Sequence, residues 1–123
     1  MLITGGHNGV GDLKTVELYL PSSPEMSCRL PQLTNTRDTH SQDSQIICGD
    51  SISTCNRWNS DTGLWEYLLT LEIERSRHVS WTPDPELGFY LIGGAGDASK
   101  RSTTLISPDL TQVPGFNLIY DTE

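Results

Sequence analysis

Three cysteines, three histidines and a scatter of turn-flanking acids are the residues of this chain whose chemistry could matter. Cys48 and Cys55 stand seven residues apart across a turn, so they can face one another on neighbouring strands and form a disulfide; two small buried thiols are the plainer alternative. A closure that short contributes roughly 2–3 kcal/mol on the loop-entropy account. Cys28 is then left over, either as a thiol or paired outside this chain. A bridge would imply an oxidising, extracellular setting and thiols a cytoplasmic one, so localisation stays open. His40 and His78 each follow an arginine, Arg37 and Arg75, by three residues. Matching positions of that kind suit packing better than metal binding, and no Cys/His cluster has zinc spacing, so no metal is expected. The glycine-rich runs 5–12 (GGHNGVGD) and 93–100 (GGAGDASK) resemble phosphate loops superficially. Neither ends in GK[ST], and each would join two antiparallel strands, with no helix amino terminus to receive an anion. Nucleophile elbows and HExxH are absent, and Asp50, Asp61, Asp84 and Asp97 sit where aspartate caps turn amides. No catalytic residue and no cofactor is therefore expected.

The elements that must position these residues are strands. Two alanines stand against thirteen serines and thirteen threonines, with eleven glycines and seven prolines, a composition that disfavours helix and suits short strands between polar turns. The one stretch with helical leucine spacing, 64–77, fits alternation better: Trp65, Tyr67, Leu69, Leu71 and Ile73 alternate with polar residues, and only Leu68 is off pattern. The chain of 123 residues suffices for one domain, and its net charge of −8, with no basic run longer than Lys100-Arg101, argues against nucleic acid and anionic membrane as partners. No apolar stretch approaches the ~18 residues of a membrane-spanning helix.

Repetition organises the rest. Apolar residues run into glycine at Gly5-Gly6, at Cys48-Gly49 and at Gly93-Gly94, and Gly6, Gly49 and Gly94 are spaced by 43 and 45 residues. Cys48 here takes the place of a first glycine. After each comes a polar turn and a Ser/Thr-rich strand. The arginine and histidine pairs repeat as well, each opening a further strand. The spacing predicts eleven strands, at 1–4, 15–20, 26–30, 38–42, 45–48, 53–58, 64–69, 77–82, 88–92, 103–107 and 116–120.

These units resemble kelch repeats. The likeness rests on Gly5, Gly6, Gly49, Gly93 and Gly94 closing second strands, on Tyr19 and Trp58 ending third strands, on Trp65 in a fourth, and on Arg37 and Arg75 ahead of the next unit. Cys28 and Phe116 depart from the fourth-strand tryptophan, and Ser107-Pro108 from an aromatic-acidic turn. The resemblance implies an all-β fold of antiparallel four-stranded β-propeller blades, with 1–37 a first blade holding strands two to four, 38–76 a second and 77–123 a third. Propellers close with about 4–8 blades, so the chain reads as part of a larger ring, and the remaining blades or self-association would cover its open faces. Wedge-filling tryptophans and arginines that reach the carbonyls of a neighbouring blade explain these positions physically.

The function expected is a non-catalytic scaffold that binds a protein partner through turns gathered at one end of the blades. His7 and Asn8 in 7–14, Asp50 in 50–53, and Asp97 and Lys100 in 95–102 are the candidate contact residues. The alternatives are part of a propeller enzyme of oxidase or glycosidase type, or the substrate-recruiting arm of a ubiquitin ligase.

Overall fold

Short strands separated by polar turns become eleven β-strands and, among the described residues, no helix. The computed structural model describes residues 2–23, 28–43, 45–50, 53–84, 86–95 and 102–115. The strands are β1 (Leu2–Thr4), β2 (Val16–Leu18), β3 (Cys28–Leu30), β4 (Ser41–Asp43), β5 (Ile46–Cys48), β6 (Thr54–Asn59), β7 (Leu64–Thr70), β8 (Val79–Asp84), β9 (Gly88–Ile92), β10 (Thr103–Ile106) and β11 (Gln112–Pro114). They form three antiparallel meanders: β1-β2-β3, β4-β5-β6-β7 and β8-β9-β10-β11. All three sheets are built by sequential hairpins, so pairing needs no long crossover.

The sheets bury their apolar faces against one another. Val16, Leu33, Ile47 and Trp65 form one cluster, with Leu2, Leu30 and Trp58 around it, where the first sheet meets the second. Cys48, Cys55, Leu69, Leu71, Phe89, Leu91 and Ile106 form the other, where the second meets the third. A middle sheet packed on both sides must send apolar side chains both ways. Leu68, the residue off the alternation, lets β7 do so: Cys55 pairs with Leu69 and Asn56 with Tyr67, so Leu68 is an inserted bulge residue. The bulge flips the parity, and Trp65 points to the first sheet while Leu69 points to the third.

Register corrects the glycine alignment. Thr4 pairs with Val16, Cys48 with Cys55 and Ile92 with Thr103, and the amides of Gly5, Gly49 and Gly93 bond the carbonyls of Thr15, Thr54 and Ser102. Gly49 is thus a first glycine, and Gly5, Gly49 and Gly93 recur every 44 residues. Asp50 stands where Gly6 and Gly94 stand, and all three share positive φ, of 95°, 101° and 131°. A β-carbon on Gly5 or Gly49 would run into the carbonyl of Arg37 or Arg75 and the ring of His40 or His78. Close approach of the next sheet, together with positive φ, makes glycine necessary there.

Three further expectations shift. The strands opening the second and third sheets begin at Ser41 and Val79, later than 38 and 77, because the arginine-to-histidine segments ahead of them join sheets. The fourth strand of the third sheet is Gln112–Pro114, where the tight turn at Ser107–Leu110 brings the chain straight back onto β10. Positions 116–120, expected to form it, lie outside the described residues.

Candidate functional site

Two sets of residues converge where the sheets meet, at the end from which the β1–β2, β5–β6 and β9–β10 turns emerge. The inner set is the arginine and histidine pair. Arg37 belongs by its backbone to the first sheet: its amide bonds Leu13 O at 3.0 Å and its carbonyl accepts from Gly6 N at 2.7 Å. Its side chain belongs to the second. Nη1 donates to Gly49 O and, at 3.1 Å, to Thr54 O, while Nη2 donates to Thr54 Oγ1 at 3.1 Å and to Asn56 Oδ1. Arg75 repeats the pattern one sheet on. Its carbonyl accepts from Asp50 N at 3.0 Å, and its guanidinium donates to Gly93 O at 2.6 Å, Ser102 O at 3.0 Å, Ser102 Oγ at 2.8 Å and Thr104 Oγ1 at 2.8 Å. The exposures of Arg37 and Arg75 are 0% and 1%. Burial lowers the pKa of both, and the Asp50 carboxylate partly opposes this at Arg37.

The histidines reach back the other way. Thr4 Oγ1 donates to Gln42 Oε1 at 2.6 Å, so it accepts from His40 Nε2 at 2.9 Å. His78 Nε2 lies 2.6 Å from Ser41 Oγ. In both rings Nδ1 is buried with no hydrogen-bond partner among the described residues. Burial, then the nearby Arg75 and His40, pushes the His78 pKa down from 6.5 to about 4, and burial followed by Arg37 lowers that of His40 despite Asp50 and Asp38. Among the described residues, Ser41 and His78 make a serine–histidine contact that invites a catalytic reading. A working triad needs a carboxylate on the far nitrogen and a serine open to substrate. His78 Nδ1 meets no carboxylate among the described residues, and Ser41 and His78 are 7% and 6% exposed.

The outer set is the turns. His7 pairs with Asp12 across the first hairpin, Nδ1 to Oδ1 at 2.9 Å, and Asn8 Oδ1 accepts from the amides of Val10 and Gly11 at 3.0 Å each, which shapes the tip. Asp38 comes alongside: one ligand atom each from His7, Asp12 and Asp38 lies within 4.8 Å of the others, and all three residues are exposed. These are the groups here that could hold a cation. Asp50, expected on this surface, is 5% exposed. Its carboxylate accepts from Asp38 N and Thr39 Oγ1, both at 3.0 Å, so it ties two sheets together. Asp97 and Lys100 lie outside the described residues. The connections fill the gaps between turns, since Arg77 N bonds Thr39 O and Ala95 N bonds Ser76 O, each at 2.7 Å.

The remaining sequence candidates are structural in their surroundings. Trp65 is buried with Trp58 edge-on to it, centroids 5.6 Å apart and planes at 64°. Tyr19 follows β2 and is half-buried. A disulfide joins Cys48 to Cys55 across paired strands, and Cys28 is an exposed thiol. At the opposite end the second and third sheets leave a pocket of about 320 Å³, walled by Ile46, Leu68, Phe89 and Leu110 with Arg57 at its side. Its residues come from five strands and two turns, so no local pattern announces it. Compared with known proteins, the sequence matches no protein-family model and no curated protein.

Proposed function

We propose that the three meanders are consecutive units of a kelch-type β-propeller and that the chain is a non-catalytic scaffold binding a protein partner through the turn end. The observation that carries this reading is the recurrence of one junction. At both junctions a buried arginine held by one sheet donates to a glycine carbonyl, a second carbonyl and two side-chain oxygens of the next. The repeat of 44 residues falls in the roughly 40–50 of a four-stranded blade. Arg37, Arg75, His40 and His78 are engaged in these junctions, which leaves hairpin tips on a rigid base as the surface open to a partner.

The exposed acids of the turn end, Asp12 and Asp38, favour a partner with basic patches, as does the net charge of −8. The third sheet also carries an apolar outer face, with Val79 61%, Trp81 54% and Val113 43% exposed and Trp81 set over Tyr90 at 5.7 Å. This face suits a further unit or self-association. The disulfide favours an oxidising compartment.

The test is comparative capture. The whole chain, the Asp12→Asn/Asp38→Asn double variant, and Glu86→Gln at the opposite end are immobilised and presented with a displayed protein library at two salt concentrations. The reading expects salt-sensitive binders that the double variant loses and Glu86→Gln keeps. Binders indifferent to Asp12 and Asp38 contradict it.

A further inference from the structure

At the end opposite the hairpin tips the second and third sheets part, and the space between them is a pocket of about 320 Å³. Apolar side chains make most of its wall: Ile46 and Leu68 from the second sheet, Phe89 from the third and Leu110 from the β10–β11 turn. Among the described residues that line it, Arg57 alone carries a charge. Ligand sites have this composition, apolar walls with a few fixed polar groups, in volumes of about 300–1,000 Å³.

Two of the walls are set against local preference. Leu68 is the bulge residue of β7, and the extra residue lays its side chain on the same cluster as Leu69; a bulge re-aims a side chain at the expense of a ladder position. Leu110 has a φ of 67°, in the left-handed region that glycine or asparagine adopts more readily. The turn holds it there: Leu110 N donates to Ser107 O at 2.8 Å, Ser107 N donates to Thr111 O at 3.0 Å, and Asp109 Oδ1 accepts from Thr111 N at 3.1 Å. Leu110 is nevertheless 40% exposed, so core burial does not account for an apolar residue in that conformation. Backbone strain of this kind gathers at ligand-binding positions.

The guanidinium beside these walls is unpaired. In register Arg57 lies between Ile46 of β5 and Glu66 of β7. Glu66 is the carboxylate placed to meet it, but Glu66 Oε1 accepts instead from Asn59 Nδ2 at 2.9 Å and Thr62 Oγ1 at 3.1 Å, bonds that shape the β6–β7 turn. Asp109 is likewise held within its own turn by Ser107 and Thr111. Among the described residues no carboxylate pairs with Arg57, in a chain whose net charge is −8. A guanidinium at the side of an apolar pocket is complementary to a carboxylate borne on an apolar body. Ile46, Arg57 and Phe89 stand on strands paired on both sides, so their backbone offers an extended peptide no ladder to join.

We infer that this pocket binds a small apolar monocarboxylate, an aryl or medium-chain alkyl acid, whose body fills the space between Ile46, Leu68, Phe89 and Leu110 and whose carboxylate pairs with Arg57. The site needs only the contact between the second and third sheets, and it lies away from the hairpin tips, so it holds or fails independently of a partner bound there.

4-Phenylbutyrate and its neutral isostere 4-phenylbutyramide, titrated separately into the ¹⁵N-labelled whole chain, provide the test. The acid is expected to shift the amides of Ile46, Arg57, Leu68, Phe89 and Leu110 and to bind about five- to tenfold more tightly than the amide, the effect of a charge-assisted bond of ~1–1.4 kcal/mol. Arg57→Gln should bring the acid down to the affinity of the amide and leave the amide unaffected, which a merely structural role for Arg57 would not do. Leu110→Asn, which adopts the left-handed conformation more readily, should weaken both ligands alike without lowering the melting temperature. The inference is overturned by no shifts at millimolar acid, by equal affinity for acid and amide, by an Arg57→Gln chain that binds the acid as the wild type does, or by a Leu110→Asn chain that binds both as before. It is overturned equally by a response to acetyl-Gly-Gly-Phe with a free carboxylate where the small acid gives none, which would make the pocket a site for a polypeptide end.

Discussion

Acid should loosen this protein through His78, and the size of the effect follows from its burial. The ring is 6% exposed, bonded through Nε2 to Ser41 and close to Arg75 and His40, and its pKa falls from 6.5 to about 4. The folded chain therefore holds His78 neutral where the unfolded chain protonates it. Between pH 6.5 and 4 the unfolded state binds the extra proton, so stability is complete above pH 6.5 and is lost as pH falls towards 4. At about 1.4 kcal/mol per pH unit, that gap corresponds to about 3 kcal/mol, a large part of a typical 5–15 kcal/mol total. His40, also lowered, adds loss of the same sign. Urea unfolding followed by tryptophan fluorescence at pH 7.5, 6.0, 5.0 and 4.0 measures it, with His78→Gln as the reference that retains a polar partner for Ser41. The difference between the two proteins isolates the ring. Wild type should lose its advantage over His78→Gln by about 3 kcal/mol from pH 7.5 to 4.0. A difference that stays constant across that range refutes the reasoning.

Other perturbations act on neighbouring parts of the same junctions. Arg75→Met should cost about 3–5 kcal/mol in urea unfolding, since it strands the carbonyls and hydroxyls the guanidinium serves, and Arg75→Lys should recover less than half because an ammonium cannot reach four acceptors as a fork does. Asp50→Ala should be worse than Asp50→Gly by about 1 kcal/mol in the same assay: both lose the bonds to Asp38 and Thr39, but only alanine keeps a β-carbon at φ 95°. Reducing the Cys48–Cys55 disulfide should lower the unfolding free energy by roughly 2–3 kcal/mol, read as a shift of the urea midpoint with and without reductant.

Most strand positions were legible in the residues, because alternation and turn chemistry are local signals, and the short Cys48–Cys55 spacing offered a disulfide as one of two readings. Leu68 shows the same legibility in reverse, since a single break in alternation marks the bulge that lets β7 feed both neighbouring packing clusters. Asp50 was not legible. Next to Gly49 it reads as an exposed turn acid, and only the approach of residues 38 and 39 from the adjoining connection shows why a buried carboxylate tolerates positive φ there. The final strand, Gln112–Pro114, was hidden because Val113 and Pro114 resemble a linker until the turn at Ser107–Leu110 lays them on β10.

Successive sheets meet through one repeated junction, the arginine and histidine pair of each connection. The most direct measurement is a nuclear Overhauser spectrum of the whole chain that resolves the histidine Hε1 protons. With His40 Cε1 packed against Gly5 and His78 Cε1 against Gly49, strong cross-peaks are predicted from His40 Hε1 to the Gly5 α-protons and from His78 Hε1 to the Gly49 α-protons. If either ring instead shows contacts with solvent-exposed residues or with an unrelated strand, the sheets are not joined by a recurring unit.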